Sequence, residues 1–412
     1  MNLSQLIKNN TLSNLTPIIY PEYNGRHATC AKKLVDNFVN IPFIDLKTQF
    51  KRIEPAVNKN IERVLSHGQY IMGPEIQELE QNLAKFCSVK HAISCSSGTD
   101  ALLMALMAYD IGPGDAIFTT PFTFFATAEV ISLTGATPIF VDIDPKTFNI
   151  DPQQLEKTVC QVIDEGKYKA RGIIPVNLFG LCPDFDAINK IAKNNDLFVV
   201  EDTAQGFGGT YKGKTSGSLG DISATSFFPA KPLGCYGDGG AVFTDDDDLA
   251  NKIISLRVHG MGEDKYDNVR IGLNARMDSL QAAILLPKLE IFAEEIEMRQ
   301  KVARRYSEKL SGLVEIPYVP EDYESVWAQY SVMSDDRESI LESLKEKGIP
   351  TAVYYRIPIH LSDAYKSLGY ESGDMPISEA CSKRIFSLPM HPYLDPSVAD
   401  KVASIIRSTI NQ

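Results

Sequence analysis

The chain has 412 residues, of which 44% are hydrophobic and 23% are charged, and its formal net charge at pH 7 is −12. This length is too great for a single compact core and predicts two domains. No basic stripe offsets the negative charge, which argues against a nucleic-acid-binding protein, although local arginines, lysines and helix N-termini still allow an anionic ligand.

The seven cysteines are scattered and form no CxxC pair. A dispersed, odd number of cysteines in a chain of this size indicates reduced thiols and not a disulfide framework. No apolar segment has the length of a signal-peptide core at the N-terminus or of a membrane span elsewhere. The six histidines show no ligand spacing. We therefore expect a cytoplasmic protein that has no metal site and no membrane partner.

Residues 1–40 are polar and rich in asparagine, and we interpret them as an N-terminal extension. From residue 41 to about residue 290, short β-rich apolar runs alternate with amphipathic segments. This alternation predicts a large α/β domain whose largely parallel sheet is covered by helices on both faces. The predicted strands are His91–Cys95, Ala116–Thr119, Thr137–Val141, Gly172–Val176, Leu197–Glu201, Ala224–Phe227 and Gly240–Thr244. The predicted helices are Pro74–Cys87, Thr99–Tyr109, Phe125–Leu133, Phe185–Asn194 and Asp247–Leu256.

A long helical segment, from about Asp278 to Leu310, leads away from this domain. Residues 291–412 then predict a smaller α+β C-terminal domain. Within it, Asp335 and Asp336 are placed to cap a helix over Glu338–Lys347 that stops at Gly348.

The segment from Ser226 to Lys231 ends in a lysine. Two phenylalanines and a proline precede this lysine, and a Gly-rich turn follows it. Such surroundings bury an amine and lower its pKa, so that it can attack a carbonyl. Upstream, a buried strand ends in Asp202. A lysine, a carboxylate and nearby hydroxyls suit pyridoxal 5'-phosphate (PLP), whose aldehyde, ring nitrogen and phosphate need these three groups. We expect Lys231 to form a Schiff base with PLP and Asp202 to pair with the ring nitrogen.

Other polar residues also follow strand ends, where parallel sheets bind ligands. Gly98 and Thr99 open a helix whose free amides and dipole would seat the phosphate, and Ser226 would add a hydroxyl. Gln205 is placed to bond the ring hydroxyl. Strand alternation turns Glu201 to the opposite face.

The serine, threonine and aspartate residues among these candidates also have a structural interpretation, because such residues cap ordinary helices. Phe124 is a candidate platform for stacking on the pyridine ring, whereas Phe122 and Phe125 fit the core better. A structural role for all three phenylalanines stays open. No GxGxxG follows the first strand, which argues against a dinucleotide-binding dehydrogenase.

In their order along the chain, several motifs resemble those of the DegT/DnrJ/EryC1/StrS family of sugar aminotransferases. These motifs are Ile44–Leu46, Gly68–Pro74, Ser97–Leu102, Glu201–Gln205, Ser226–Lys231, Gly237–Ala241 and Gly272–Asp278. The resemblance implies a type I PLP-dependent aminotransferase fold with a mostly parallel seven-stranded sheet. It also implies a homodimer with shared active sites, in which Asn274 reaches the phosphate of the other subunit.

Two segments, Phe227–Gly237 and Gln281–Phe292, are most similar to the branch that aminates C3 of UDP-2-acetamido-2-deoxy-ribo-hexuluronate. We therefore expect transfer of the amino group of L-glutamate to a UDP-linked 2-acetamido keto-sugar for surface polysaccharide (O-antigen) biosynthesis. The segment Thr351–Pro358 departs from the family pattern, so amination at C4 of a 2,6-dideoxy-4-keto hexose stays open. The candidates for substrate contact are Arg276, Tyr355, Arg356, His360 and Lys265.

Two alternatives accompany this expectation. Some family members are PLP-dependent sugar dehydratases with histidine at the lysine position, but this chain keeps Lys231. The other alternative is a PLP-binding regulator, for which residues 1–40 offer neither a helix-turn-helix pattern nor a basic cluster.

Overall fold

A computed structural model describes residues 41–264 and 266–411. The predicted extension over residues 1–40 and the substrate candidate Lys265 lie outside the described residues. From Ile41 onward the chain belongs to one compact unit. The predicted boundary at residue 290 falls inside a continuous helix, Ser279–Leu310, and the division into a large and a small domain stays a prediction.

The helices and strands are numbered here in chain order. The helices are α1 Leu46–His67, α2 Pro74–Cys87, α3 Gly98–Ala108, α4 Ala126–Leu133, α5 Pro152–Glu165, α6 Phe185–Asn194, α7 Asp247–Leu256, α8 Ser279–Leu310, α9 Arg337–Glu346, α10 Pro376–Arg384 and α11 Ser397–Ile410. The strands are β1 His91–Cys95, β2 Asp115–Thr119, β3 Thr137–Phe140, β4 Lys169–Ile174, β5 Phe198–Asp202, β6 Thr210–Tyr211, β7 Lys214–Thr215, β8 Ile222–Ser226, β9 Gly240–Thr244, β10 Tyr323–Glu324, β11 Tyr330–Met333 and β12 Ile385–Leu388.

Seven strands form the main sheet, in the order β1-β9-β8-β5-β4-β2-β3. Strand β9 is antiparallel to both of its neighbours, and the remaining pairs are parallel. This topology confirms the predicted mostly parallel seven-stranded sheet. The carboxyl ends of β1, β5 and β8 therefore meet at one edge of the sheet, where parallel sheets bind ligands.

Helices cover both faces of this sheet, as the alternation along β1 shows. Ile93 and Cys95 pack into an apolar cluster with residues of α3 and α7. Ala92, which directly precedes Ile93, packs into a different cluster that includes residues of α2 and α8. Successive strand residues point to opposite faces, so the two clusters lie on opposite sides of the sheet.

Helix α8 runs from the main sheet into the packing of the C-terminal part. Pro287 in its interior has no amide hydrogen to donate to the Ala283 carbonyl. The side chain of Asn60 on α1 donates to that carbonyl instead, at 3.1 Å. Farther along, Tyr306 packs in a core with Val332 of β11 and Phe386 of β12, which pair antiparallel.

None of the helices in the described part of the chain is long and apolar enough to cross a membrane. The six cysteines within that part are free thiols. In residues 41–264 and 266–411, no group of three or more histidine, cysteine, aspartate or glutamate side chains is arranged to hold a metal ion.

Candidate functional site

A cavity of about 440 Å³ opens at the carboxyl edge of the main sheet. Its lining comes from the ends of four strands, β1, β2, β5 and β8, and the segments that follow them, from Phe43 and Ile44 before α1, and from two later segments around residues 328 and 354. The structure brings eight of the predicted site residues to this lining: Gly98, Thr99, Phe124, Asp202, Gln205, Ser226, Lys231 and Tyr355.

Asp202 ends β5 and is only 3% exposed. One carboxylate oxygen accepts from the Thr127 hydroxyl at 2.8 Å, and the other accepts from the Ala204 amide at 3.1 Å. Burial raises the pKa of Asp202, while these two donors and the positive charge of Lys231 lower it. The carboxylate is therefore held in a fixed orientation beside the cavity.

Lys231 lines the same cavity and lies on the segment that follows β8. Burial lowers the pKa of its amine, and the negative charge of Asp202 acts in the opposite direction. A lowered pKa increases the neutral, nucleophilic fraction of an amine at neutral pH. The backbone of Lys231 is tied to its own loop, because its amide donates to the Phe228 carbonyl at 2.9 Å.

The N-terminus of α3 provides a seat for an anion. The Ser97 hydroxyl caps the helix by accepting from the Asp100 amide at 3.0 Å. The amides of Gly98 and Thr99 precede the first helical hydrogen bonds and have no intrahelical acceptor. A Cβ on Gly98 would lie 2.6 Å from the Ser226 Cβ, so only glycine lets the Ser226 hydroxyl approach this seat.

Gln205 is buried, and its amide orientation is set by two contacts. Its Oε1 accepts from the Phe179 backbone amide at 3.1 Å, and its Nε2 donates to the Tyr355 hydroxyl at 3.0 Å. Burial raises the pKa of Tyr355, and the charge of Asp202 acts in the same direction, whereas the bond from Gln205 lowers it. Tyr355 is therefore a neutral phenol that joins Gln205 to the segment Thr351–Pro358.

Residues next to the site residues in sequence point away from the cavity where strand alternation or local apolarity predicts it. Phe124 is 57% exposed at the cavity, while Phe122 is fully buried in the core. Phe125 packs against the Tyr365 ring at a centroid distance of 5.6 Å. Glu201 is turned away from the cavity and accepts hydrogen bonds from Gly217, Leu219, Ser223 and Asn177.

Four predicted residues are absent from the described lining of this cavity: Asn274, Arg276, Arg356 and His360. Asn274 pairs with Val258 in a β-bridge and accepts from Arg276 at 2.6 Å. Arg356 is exposed. His360 is 1% exposed, and its Nε2 lies 3.3 Å from Glu379. This enclosed position gives no support to the predicted substrate contact of His360.

Several lining residues are not among the predicted site residues. Thr127, which fixes Asp202, lies in the first turn of α4, and its role depends on where that helix packs. Gln329 comes from a segment distant in sequence from the motifs, whereas Phe43 directly precedes the motif that begins at Ile44. Only the motif that begins at Ile44 offered a signal for any of them.

The groups at this site fit the functional groups of PLP. They are a buried amine, a fixed carboxylate, an amide beside a phenol, and a helix N-terminus with a serine hydroxyl. The donor set would hold its aldehyde, ring nitrogen, ring hydroxyl and phosphate, respectively. Together with the sheet topology, this site defines a PLP-dependent aminotransferase.

Residues 51–407 match the DegT/DnrJ/EryC1/StrS aminotransferase family, and the chain belongs to that family. It is similar to the UDP-2-acetamido-2-deoxy-3-oxo-D-glucuronate aminotransferase of Pseudomonas aeruginosa, with 51% identity over 86% of this chain and 96% of the relative.

Two solved structures extend these similarities. A DegT/DnrJ/EryC1/StrS aminotransferase from Brucella abortus is 48% identical, with a TM-score of 0.87 over 89% of this chain and 99% of the other. The Bacillus subtilis protein NtdA, solved with bound cofactor PMP, is 30% identical, with a TM-score of 0.81 over 90% of this chain and 83% of the other.

Proposed function

We propose that this enzyme transfers the amino group of L-glutamate to the ketone of a UDP-linked 2-acetamido keto-sugar, making an amino sugar for surface polysaccharide such as O-antigen. The observation that carries the proposal is the placement of Lys231 and Asp202 in one cavity at the carboxyl edge of the sheet. A lysine at this position favours amino transfer over the dehydratase alternative, whose members have histidine there.

The bound cofactor would supply an aldehyde and an electron-withdrawing ring. Lys231 Nζ would hold that aldehyde and, when free of it, would take the proton from the amino donor's α-carbon. Asp202 holds the ring nitrogen in its protonated form. Gln205 holds the ring hydroxyl, while Gly98, Thr99 and Ser226 hold the phosphate.

We place the aminated ketone at C3 of a 2-acetamido hexuluronate. The support is the name of the Pseudomonas aeruginosa relative, a 3-oxo-glucuronate aminotransferase with which this chain shares 51% identity. Residues 351–358, which depart from the family pattern, approach the cavity through Tyr354 and Tyr355. For that reason a 4-keto 6-deoxy sugar is the competing substrate in the test below.

We also propose that two copies form a homodimer with shared active sites. A UDP-uronate carries a pyrophosphate and a carboxylate, but Lys231 is the only lysine or arginine among the described residues that line the cavity. Asn274 and Arg276 of a second copy would supply the missing polar groups. Apolar side chains free to pack against such a copy include Ile71, Phe228, Val269 and Ile271, which are 46%, 51%, 53% and 87% exposed.

The test is to incubate the purified protein with PLP, L-glutamate and a panel of UDP-linked sugars that carry a ketone at C3 or C4, each with and without a C6 carboxylate. Mass spectrometry and NMR of the product identify the carbon that gains nitrogen. We expect a 3-amino uronate from the wild type and no amino sugar from Lys231→Ala. A deoxy sugar without nitrogen would establish the dehydratase, and turnover by Lys231→Ala would overturn the role of Lys231.

A further inference from the structure

Lys288 on α8 is a buried cation outside the cavity lining. It is 1% exposed, and it is among the largest fully buried side chains in the described part of the chain. Burying an ammonium group is costly unless specific partners compensate for the lost hydration. Its contacts therefore indicate what the charge does.

The Lys288 ammonium donates to the Gly234 carbonyl at 2.6 Å. It also lies 4.2 Å from the centre of the Tyr236 ring, in cation–π geometry. The titratable groups that act on it are Glu295, on its own helix, and Cys235, in the loop. Burial lowers the pKa of Lys288 to about 8, and both groups act in the opposite direction.

Gly234 belongs to the loop that carries Lys231 and lies three residues after that lysine. This loop folds back on itself, because the Cys235 amide donates to the Phe227 carbonyl at 2.8 Å. A Cβ on Gly234 would lie 2.6 Å from the Phe228 carbonyl oxygen, so the turn requires glycine.

Helix α8 holds the loop at a second, adjacent point. Gln281 accepts from the Tyr236 amide at 2.9 Å. Gln281 and Lys288 are two helical turns apart and therefore on the same face of α8. The loop is thus fixed to a rigid helix immediately after the residue whose amine does the chemistry.

We propose that Lys288 is a positioning residue for the transamination: by holding the Gly234 carbonyl, it keeps the Lys231 loop where the amine can bind the cofactor aldehyde again after each half-reaction. The proposal rests on the proposed role of Lys231. A charge-assisted bond suits this task because it is stronger than a neutral one and resists displacement by water.

The two forms of the cofactor separate positioning from general structural support. PLP is held through a covalent bond to Lys231, whereas pyridoxamine 5'-phosphate binds the same groups without that bond. The experiment measures the dissociation constants of both forms with apo-enzyme, by fluorescence titration, for the wild type, Lys288→Met and Lys288→Arg. The control is Lys309→Met, the same change at a lysine of α8 that pairs with Asp400 at 3.0 Å.

We expect Lys288→Met to weaken PLP binding about tenfold, which is the effect expected when one hydrogen bond to a charged group is lost. Binding of pyridoxamine 5'-phosphate should change less than about twofold. Lys288→Arg should restore part of the difference, and Lys309→Met should show none. If Lys288→Met does not fold, Tyr236→Leu removes the ring beneath the ammonium and should shift the ratio in the same direction.

Equal weakening of both forms, or no weakening of either, in Lys288→Met or in Tyr236→Leu would overturn the positioning role. Failure of the proposed function looks different. In that case the wild type itself would bind the two forms equally, and borohydride would trap no PLP on Lys231.

Discussion

Two groups of predicted site residues are placed very differently. The cofactor cluster consists of Lys231, Asp202, Gln205, Ser226 and Thr99. The outer candidates are Asn274, Arg276, Arg356 and His360. Every member of the cofactor cluster lines one cavity, because each ends or follows a strand whose carboxyl end lies at the same edge of the sheet. No outer candidate is in the described lining of that cavity. Motifs at strand ends therefore identify a site within one chain, whereas under the proposed homodimer Asn274 and Arg276 would belong to the site of a second copy.

The strongest test of the cofactor cluster compares two adjacent buried acids. Asp202→Asn keeps the shape of the side chain but removes the charge that stabilises a protonated ring nitrogen. We expect kcat to fall about 100-fold, since a hydrogen bond to a charged group contributes up to about 3 kcal/mol. Steady-state kinetics with L-glutamate and the preferred keto-sugar measure the effect.

The matched control for this change is Glu201→Gln. Glu201 accepts from the Gly217 and Leu219 amides and the Ser223 hydroxyl on the face away from the cavity. Its loss should lower the free energy of unfolding by about 1–3 kcal/mol and leave kcat close to the wild-type value. Similar kinetic losses in both variants would show that the two faces of β5 are not functionally distinct.

The outer candidates are tested by mixing two impaired variants. Lys231→Ala lacks the amine and Asn274→Ala lacks the proposed contribution to the partner's site. In hybrid dimers with shared sites, one of the two sites contains both intact residues. Re-associating equal amounts of the variants should therefore raise activity to about a quarter of the wild-type value, because half of the dimers are hybrids.

The control for this mixture pairs Lys231→Ala with Asp202→Asn. Both changes fall in the cofactor cluster of a single chain, so no hybrid contains a fully intact site. This mixture should give no more activity than the average of its two components. Recovery to about a quarter of the wild-type value in the control, or no recovery in the Asn274 mixture, would contradict the proposed sharing of sites.

Much of the fold and the cofactor cluster could be predicted because local patterns encode them. The apolar run that ends in Asp202 and the Gly-rich turn after Lys231 are contiguous segments, and β1, β9, α2, α6 and α7 occur at their predicted bounds. Helices α1 and α5 were not predicted. The signal for α5 was present, since Asp151 caps it and Pro152 occupies its first turn. Thr127 and Lys288 could not be predicted, because their partners are distant in sequence.

Tyr355 links the cofactor cluster to the loop in which the chain departs from its family. Tyr355→Phe removes only the hydroxyl that accepts from Gln205 at 3.0 Å. Loss of one neutral hydrogen bond is expected to reduce kcat/KM about fivefold, because such bonds contribute about 1 kcal/mol. The control Tyr365→Phe removes a hydroxyl that is bonded to Ser132 at 3.2 Å. Equal kinetic effects in the two variants would show that the hydrogen bond between Tyr355 and Gln205 has no specific part in the reaction.

The smallest expected effect concerns the wall of the cavity. His391 is buried, with 2% of its surface exposed. Its neighbour Met390 donates to the Phe43 carbonyl at 3.3 Å, and Phe43 lines the cavity. Burial lowers the pKa of His391 from 6.5 to about 4; Asp45 opposes this shift, and Arg299 adds to it.

Between pH 6.5 and about 4 the unfolded chain therefore binds a proton at His391 that the folded chain does not bind. The contribution of His391 to stability is complete above pH 6.5 and declines as the pH falls toward about 4. His391→Gln cannot titrate, so its free energy of unfolding in urea should depend less steeply on pH within that window. Parallel pH profiles for the variant and the wild type would show that this histidine is protonated equally in the folded and unfolded states.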